Sequence, residues 1–416
     1  MKLLISTPIR FQSTPDGAVW ARQEADGYTF WTRYLAGFDE LTLLARVRPV
    51  STPSANWLRA DGPGVRFAPV PDFVGPYQLM RRWFPVRAAV RTAVGNAEAV
   101  LMRVPCNIGA MTWRYLPAGH PYAVEVLGDP YASLSPAAMD TSMRALWRWL
   151  LPHYLRKICQ GASGAAYVTQ FALQRLYPPN SLTFSTSYSD VMTTHYTSAR
   201  LKQCVIRTEA RQYAANQKAF TIICVGAMEM LPKAQDVLIK ACALCVRGGM
   251  ELRLVLVGDG KMRAKLESLT AQTGMSGRVT FAGQLRGEDQ ITRALDAADM
   301  FALPSRTEGL PRAMIEAMAR GLPCIGSDVG GIPELISPAC LVRPDDEIGL
   351  AQKIREVFAD PGRMCRMSAE NLARVADYSD EVLRLRREAF YRHLASETVK
   401  HTQSYRASRP LLRVEQ

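Results

Sequence analysis

The chain has 416 residues and a mass of 46.2 kDa, which at about 100–200 residues per domain suggests two or three domains. Hydrophobic residues make up 48% and charged residues 21%, a globular composition that excludes a mostly disordered chain or a fibre. Lys and Arg number 51 against 38 Asp and Glu, a net charge of +13 with pI about 9.4 and mean hydropathy −0.07; no run of about 18 apolar residues exists to form a transmembrane helix, and the positive surplus attracts an anionic partner, whether nucleic acid, anionic lipid or a phosphorylated substrate.

The opening Met1-Lys2-Leu3-Leu4-Ile5-Ser6 has an apolar run of three residues. That is too short for a signal peptide and reads as a first β-strand, so a cytoplasmic protein is expected. Further strands are predicted at residues 40–45, 65–69, 99–104, 122–127 and 165–169, with helices between them. Residues 79–94 and 142–160 contain no acid but carry Arg81, Arg82, Arg87, Arg91, Arg144, Arg148, Arg156 and Lys157 beside Trp83, Phe84, Trp147 and Trp149. This is the composition of an interfacial amphipathic segment. Residues 181–211 are polar and without periodicity, and read as a linker.

The second half alternates more cleanly. Strands are predicted at 220–225, 251–257, 279–281, 300–303, 323–326 and 340–342, with helices near 234–246, 261–273, 289–297 and 312–320. Strand–helix alternation of this kind gives parallel sheets, with ligands beyond the carboxyl ends of the strands. A last helix is expected at 377–395 and a frayed polar tail at 396–416. The nine cysteines are scattered and odd in number, which argues against a disulfide framework. Cys242 and Cys245 read as two buried helix residues rather than a metal pair.

The stretch from 304 to 336 reads PSRTEGLPRAMIEAMARGLPCIGSDVGGIPELI. It is a strand end, a glycine loop and a helix start, then a strand and a second glycine loop. Pro311 suits the first turn of that helix, where its missing N–H costs nothing. The N–H groups of Leu310, Arg312 and Ala313 should then point at a phosphate or diphosphate, with Arg312 adding a full charge. There is no Asp-x-Asp, no zinc spacing, no GxSxG and no Walker A sequence.

Glu308-x7-Glu316, followed by Gly321-Leu322-Pro323 and Gly330-Gly331-Ile332-Pro333-Glu334, resembles the family-4 retaining glycosyltransferases. The match is dense over about thirty residues, follows the family's order of elements from roughly 215 to 375, and holds only in outline in the first half. The resemblance implies an α/β fold of two Rossmann-like doubly wound domains facing a central cleft, the GT-B fold. Residues 1–200 would be the acceptor domain and 201–376 the nucleotide-sugar domain. Helix 377–395 would pack back toward the first domain.

By the same resemblance Glu308 would lie near the donor-sugar hydroxyls and Glu316 would bind the ribose hydroxyls. Lys233 occupies the place of a lysine on the donor diphosphate. The arginine expected six residues earlier is Ala227, so Arg312 or Arg306 would have to supply the missing charge. Gly258 and Gly260 would sit in the donor cleft, and the 281–285 segment, ending at Leu285, would contact the base through its backbone. Gly17 is a weak match to a phosphate-touching glycine loop. Asp129 stands where relatives often have a cleft histidine, and reads equally as a turn or N-cap aspartate before Pro130.

The expected activity is transfer of a sugar with retention. The donor is a nucleotide diphosphate sugar, a UDP-sugar first and a GDP-sugar second. The acceptor is a hydroxyl, best a lipid-linked saccharide or oligosaccharide in polysaccharide biosynthesis. No metal cofactor and no nucleic-acid partner are expected, and the basic segments would place the protein at the inner face of the cytoplasmic membrane, against an anionic surface. The alternatives are a nucleotide-sugar epimerase of the same fold and a catalytically vestigial sugar-nucleotide-binding subunit.

Overall fold

Two parallel sheets organise the chain. The computed structural model describes residues 1–23, 26–134, 144–191, 219–285 and 287–407. In chain order the first half holds β1 (Lys2–Ser13), β2 (Val19–Ala21), α1 (Tyr28–Thr32), β3 (Glu40–Pro49), β4 (Leu58–Arg59), β5 (Val65–Pro71), α2 (Gly75–Arg81), α3 (Trp83–Gly95), β6 (Ala99–Val104), α4 (Asn107–Tyr115), β7 (Ala123–Val126), α5 (Pro130–Ser133), α6 (Arg144–Gln160), β8 (Gly164–Tyr167), α7 (Ala172–Leu176) and β9 (Phe184–Ser187). Strands β5-β3-β1-β6-β7-β8-β9 run parallel in that order, with apolar side chains on both faces, as a sheet covered by helices on both sides requires. One face is packed by α3, α4, α6 and α7 through Val86, Val90, Ile108, Met111, Leu155, Ile158 and Leu173.

The second half holds β10 (Phe220–Val225), α8 (Gln235–Arg247), β11 (Leu252–Val257), α9 (Arg263–Gln272), β12 (Val279–Gly283), α10 (Glu288–Ala297), β13 (Met300–Leu303), α11 (Arg312–Ala319), β14 (Cys324–Ser327), α12 (Ile332–Leu335), β15 (Leu341–Val342), α13 (Glu347–Phe358) and α14 (Pro361–Val375). Its sheet runs β12-β11-β10-β13-β14-β15, all parallel. The order reverses between β10 and β13. That reversal opens a crevice above their carboxyl ends, where doubly wound sheets bind ligands.

Three expectations need correction. Strand β1 does not stop at Ser6. It runs on to Ser13, and beyond Ser6 it pairs with the short antiparallel β2 in place of β6. The polar stretch that opened the expected linker contains strand β9, which completes the sheet edge; residues 192–211 of that linker lie outside the described residues. The expected tail is helical as far as Ala407, because α15 (Asp380–Ala407) continues well past Ala395. Polar as it looks, that extension still buries Thr398, whose hydroxyl donates to the Leu394 carbonyl. Helix α15 lies on the sheet face opposite α3 and α6, with Tyr391 against Tyr34 and Phe390 against Tyr188.

Candidate active site

The loops that follow β10 and β13 meet at the reversal. Lys233 comes from the first and Glu308 from the second. Their side chains form an ion pair at 2.5 Å, with 26% and 6% of their side-chain surface exposed. The same Glu308 oxygen, Oε1, accepts from the Ser305 hydroxyl at 2.7 Å. An ammonium has three N–H groups, so two on Lys233 remain for a ligand, and Oε2 of Glu308 has no hydrogen bond among the described residues. Beneath the pair the Cys224 thiol is pushed up to about 12, by burial first; it stays protonated and inert. Gly226 makes the pairing possible, since a Cβ there would stand 2.8 Å from Cγ of Lys233.

Arg306 does not face a ligand. Its guanidinium grips Asp236 with two bonds of 2.9 and 2.8 Å, the Leu231 carbonyl at 2.8 Å and Asp345 at 2.7 Å. It holds the 231–236 segment in place and is not available to replace the arginine missing at Ala227. Ala234, at φ 52°, sits in the left-handed region next to Lys233. That conformation costs a non-glycine residue roughly 1–2 kcal/mol, and the Arg306 bonds on both sides of it hold it there.

The glycines of the site permit backbone to lie on backbone. A Cβ on Gly258 would stand 2.1 Å from the Gly226 carbonyl, and one on Gly260 would stand 2.3 Å from the Glu229 nitrogen. The Gly258-Asp259-Gly260 turn thus clamps the 226–229 loop, with Met228 N–H donating to the Asp259 carbonyl at 2.9 Å. Across the crevice a Cβ on Gly330 would stand 2.2 Å from the Glu308 carbonyl, and Gly331 N–H donates to the Gly309 carbonyl at 2.7 Å.

Pro311 is the N-cap of α11 rather than its first-turn residue, with extended backbone at ψ 106°, and no side chain caps the helix. The N–H groups of Arg312 and Ala313 are left to a ligand, since the first N–H groups of a helix have no partner inside it. Met314 N–H already bonds the Pro311 carbonyl. Arg312 is exposed, and across the cleft it faces Asp26, whose carboxyl is pushed up by burial while Arg312 and Arg103 pull it back.

The structure therefore brings together Glu308, Lys233, Leu310, Pro311 and Arg312, with Gly258 and Gly260 one loop behind them. Glu316 lies one turn along α11, half-buried, and Leu285 is half-buried at the end of β12. Two further candidates have structural duties of their own. Asp129 is an N-cap: its oxygens accept from Tyr131 N–H at 2.8 Å, Ala132 N–H at 3.2 Å and the Tyr177 hydroxyl. Of the two readings of Asp129, these bonds are those of the N-cap. Gly17 closes the β1–β2 hairpin at φ 84°, with nothing within 4 Å of where a Cβ would be. Beyond Ser6 strand β1 is no longer paired with β6, and its register against β3 shifts between Ser6 and Arg10, so the hairpin extends past the end of that pairing. Sequence reasoning missed Asp26 and Glu334 as cleft residues. Glu334 was visible within the glycine–proline motif; nothing in the sequence around Asp26 marks it.

Overlaid on known structures, the fold is that of the GT-B glycosyltransferases. Sucrose-phosphate synthase from Thermosynechococcus elongatus aligns with TM-score 0.63 over 98% of each chain at 18% identity. HepE from Anabaena, solved with UDP-glucose, aligns with TM-score 0.61 over 96% of this chain and 100% of its own at 17% identity. Residues 219–360 match the profile of the family described as glycosyl transferases group 1. Protein CapJ of Staphylococcus aureus is 26% identical over 87% of this chain and 88% of its own length. A GDP-mannose-dependent monoacylated α-(1-6)-phosphatidylinositol monomannoside mannosyltransferase of Corynebacterium glutamicum is 31% identical over 55% of this chain, which spans 62% of that relative. The likeness to the group 1 glycosyl transferases thus lies in residues 219–360, and the likeness to solved structures shows the GT-B fold.

Proposed function

We propose that the protein transfers a sugar, with retention, from a nucleoside diphosphate sugar to a hydroxyl of a lipid-linked saccharide or oligosaccharide. The observation that carries the reading is the Lys233–Glu308 pair set beside the uncapped N-terminus of α11. Two free N–H groups on Lys233, the Arg312 guanidinium and the helix N–H groups form a cationic cradle for a diphosphate. Glu308, with Oε2 uncommitted, is placed to accept from a sugar hydroxyl. Glu316, on the same helix, is suited to the vicinal hydroxyls of ribose.

In this reading the bond from the anomeric carbon to the diphosphate oxygen breaks as the bond to the acceptor oxygen forms on the same face. The acceptor's proton passes to the departing diphosphate. The protein's task is to stabilise the growing phosphate charge and hold the sugar still, with fixed cations in place of a divalent metal. A UDP-sugar is the first donor to test, since a structural neighbour binds UDP-glucose, and a GDP-sugar the second, since a relative is named for GDP-mannose.

The lipid-linked acceptor rests on the first domain. Helices α2, α3, α4, α6 and α7 carry Arg81, Arg87, Arg91, Arg114, Arg144, Arg148, Arg156, Lys157 and Arg175 and no Asp or Glu. Tyr77, Met80, Phe84 and Trp149 are exposed among them. An anionic membrane surface at the inner face of the cytoplasmic membrane is the complement of that layer.

The test is a donor screen read by release of nucleoside diphosphate, with and without membrane extract. Release that depends on extract, and that Glu316→Gln abolishes, supports the assignment. Full activity in Glu316→Gln refutes its role, and no release with any donor favours a vestigial site.

A further inference from the structure

Glu334 ends the glycine–proline loop of the second domain, yet among the described residues its carboxylate bonds only to the first domain. It accepts from Gln170 N–H at 2.5 Å, Phe171 N–H at 2.9 Å and Ala172 N–H at 2.6 Å. These are the unpaired donors at the start of α7. Leu173 N–H, the next in line, is already taken by the Thr169 hydroxyl at 3.0 Å. The start of this helix is therefore capped from both sides of the cleft, by Thr169 of its own domain and by Glu334 of the other.

The loop that carries Glu334 is also a wall of the candidate donor site. A Cβ on Gly331 would stand 2.7 Å from the Gly309 carbonyl and 3.1 Å from Cγ2 of Thr169. A Cβ on Gly309 would stand 2.4 Å from the Leu127 carbonyl of the first domain. The 308–310 and 330–331 backbones are thus stacked on each other and on the first domain together. On the far side, the buried Tyr378 hydroxyl lies in the field of Glu334 and has no hydrogen bond among the described residues. Tyr378 ends the turn Ala376–Tyr378, where the chain leaves α14 and crosses into α15 on the first domain.

We propose that Glu334 is an interdomain latch: its carboxylate, bonded to the N–H groups of residues 170–172, holds the cleft closed and fixes the 308–310 and 330–331 loops at the height the donor needs. Glu334 is a positioning residue; it touches neither donor nor acceptor. The donor loop and the latch share one rigid segment, so closing the cleft and forming the donor site are one event. An enzyme whose competent state is only partly populated binds more weakly by that fraction. Opening the latch is therefore read as a raised donor KM with kcat at saturation largely retained. That kinetic consequence rests on the glycosyltransferase reading; the latch itself does not.

The test compares the full chain with its Glu334→Gln variant in three ways. Hydrogen exchange is followed at the amides of Gln170, Phe171 and Ala172, small-angle scattering gives the radius of gyration, and steady-state kinetics uses whichever donor the screen identifies. The latch predicts slow exchange at these three amides in the wild type, about tenfold or more faster in the variant. It predicts a larger radius of gyration for the variant, and a donor KM raised roughly 10- to 100-fold, as expected for losing bonds to a charged acceptor. Unprotected amides at 170–172 in the wild type overturn it, whether or not the variant folds. So does a folded variant with unchanged exchange and scattering. A wild type that turns over no donor defeats the proposed function and leaves the exchange and scattering results to decide the latch.

Discussion

Replacing Lys233 by Met tests whether the central pair is built as the structure indicates. Removing one partner of a fully buried pair costs about 3–5 kcal/mol, because the other charge is stranded, whereas an exposed pair is worth about 0–1 kcal/mol. Here the exposures are unequal, 6% for the Glu308 side chain and 26% for Lys233. Lys233→Met strands the more buried charge, with only the Ser305 hydroxyl left to it, and about 2–3 kcal/mol is expected by interpolation. Glu308→Gln strands an ammonium that can turn to solvent, and about 1 kcal/mol is expected. Thermal unfolding by circular dichroism and calorimetry reads both. At about 2–4 °C per kcal/mol for a domain of this size, Lys233→Met should lower the transition of the second domain by roughly 5–10 °C. The double variant Lys233→Met/Glu308→Gln removes both charges and should recover to within about 1 kcal/mol of wild type. It should remain unable to turn over donor. A Lys233→Met protein no less stable than Glu308→Gln, or a double variant less stable than Lys233→Met, would refute this reasoning.

Three other outcomes are expected. Gly258→Ala sets a Cβ on the Gly226 carbonyl at φ 133° and should unfold the second domain, whereas Gly17→Ala, at φ 84° in open space, should cost about 1–2 kcal/mol and leave donor turnover intact; loss of turnover in a folded Gly17→Ala protein returns that glycine to the donor site. Asp129→Asn keeps an N-cap and should keep most activity, while Asp129→Ala should cost about 1 kcal/mol in melting experiments; a folded but inactive Asp129→Asn protein would restore its catalytic role. Asp190 is half-buried, which pushes its carboxyl up, but Arg103 and Arg33 outweigh burial and hold it well below the usual range. Its folded-state pKa being depressed, its contribution is fully present above about pH 4, the unfolded value, and is lost as pH falls toward the folded one. Urea unfolding from pH 7 down to pH 2 should show first-domain stability falling below about pH 4, and Asp190→Asn should flatten that limb; an unchanged limb excludes this group as its source.

The second sheet was legible because its strands are short β-branched or leucine runs stopped by glycine, proline or serine, and its ends fell within a residue or two of expectation at β10, β11 and β13. The first half was harder for physical reasons. Pro8 interrupts the β1 pattern, and β2 and β4 are three and two residues long, too short to show a period. The end of α15 read as a tail because a helix lying on one sheet face needs only a narrow buried stripe. The site motif was legible as a motif, but its pairings were not. Lys233 and Glu308 are 75 residues apart and Glu334 is 164 from Gln170. Only the sheet order, which sets β10 beside β13, and the approach of the two domains determine who meets whom. Arg306 illustrates the limit: in sequence it is a free cation next to the motif, and in the fold it is spent on Asp236 and Asp345.

The excess of +13 is thereby divided. In the second domain the cations near the motif are mostly neutralised within the protein, and Arg312 with the α11 N-terminus supplies the field left for a ligand. In the first domain, helices α2, α3, α4, α6 and α7 carry basic residues and no Asp or Glu. Arg81, Arg91 and Lys157 are exposed there, with Phe84 78% and Trp149 69% exposed near them. Each cation close to an anionic bilayer contributes about 1 kcal/mol, so Arg81→Gln/Arg91→Gln/Lys157→Gln should weaken binding to anionic vesicles by roughly 100-fold at low salt. The loss should shrink as salt shortens the Debye length below about 10 Å, while binding driven by Phe84 and Trp149 is insensitive to salt. Vesicle co-sedimentation of wild type and triple variant, at low and high salt, separates the two contributions. Equal wild-type binding to neutral and anionic vesicles, or a triple variant that binds as tightly as wild type at low salt, would refute the membrane assignment and leave the layer a solvated basic surface.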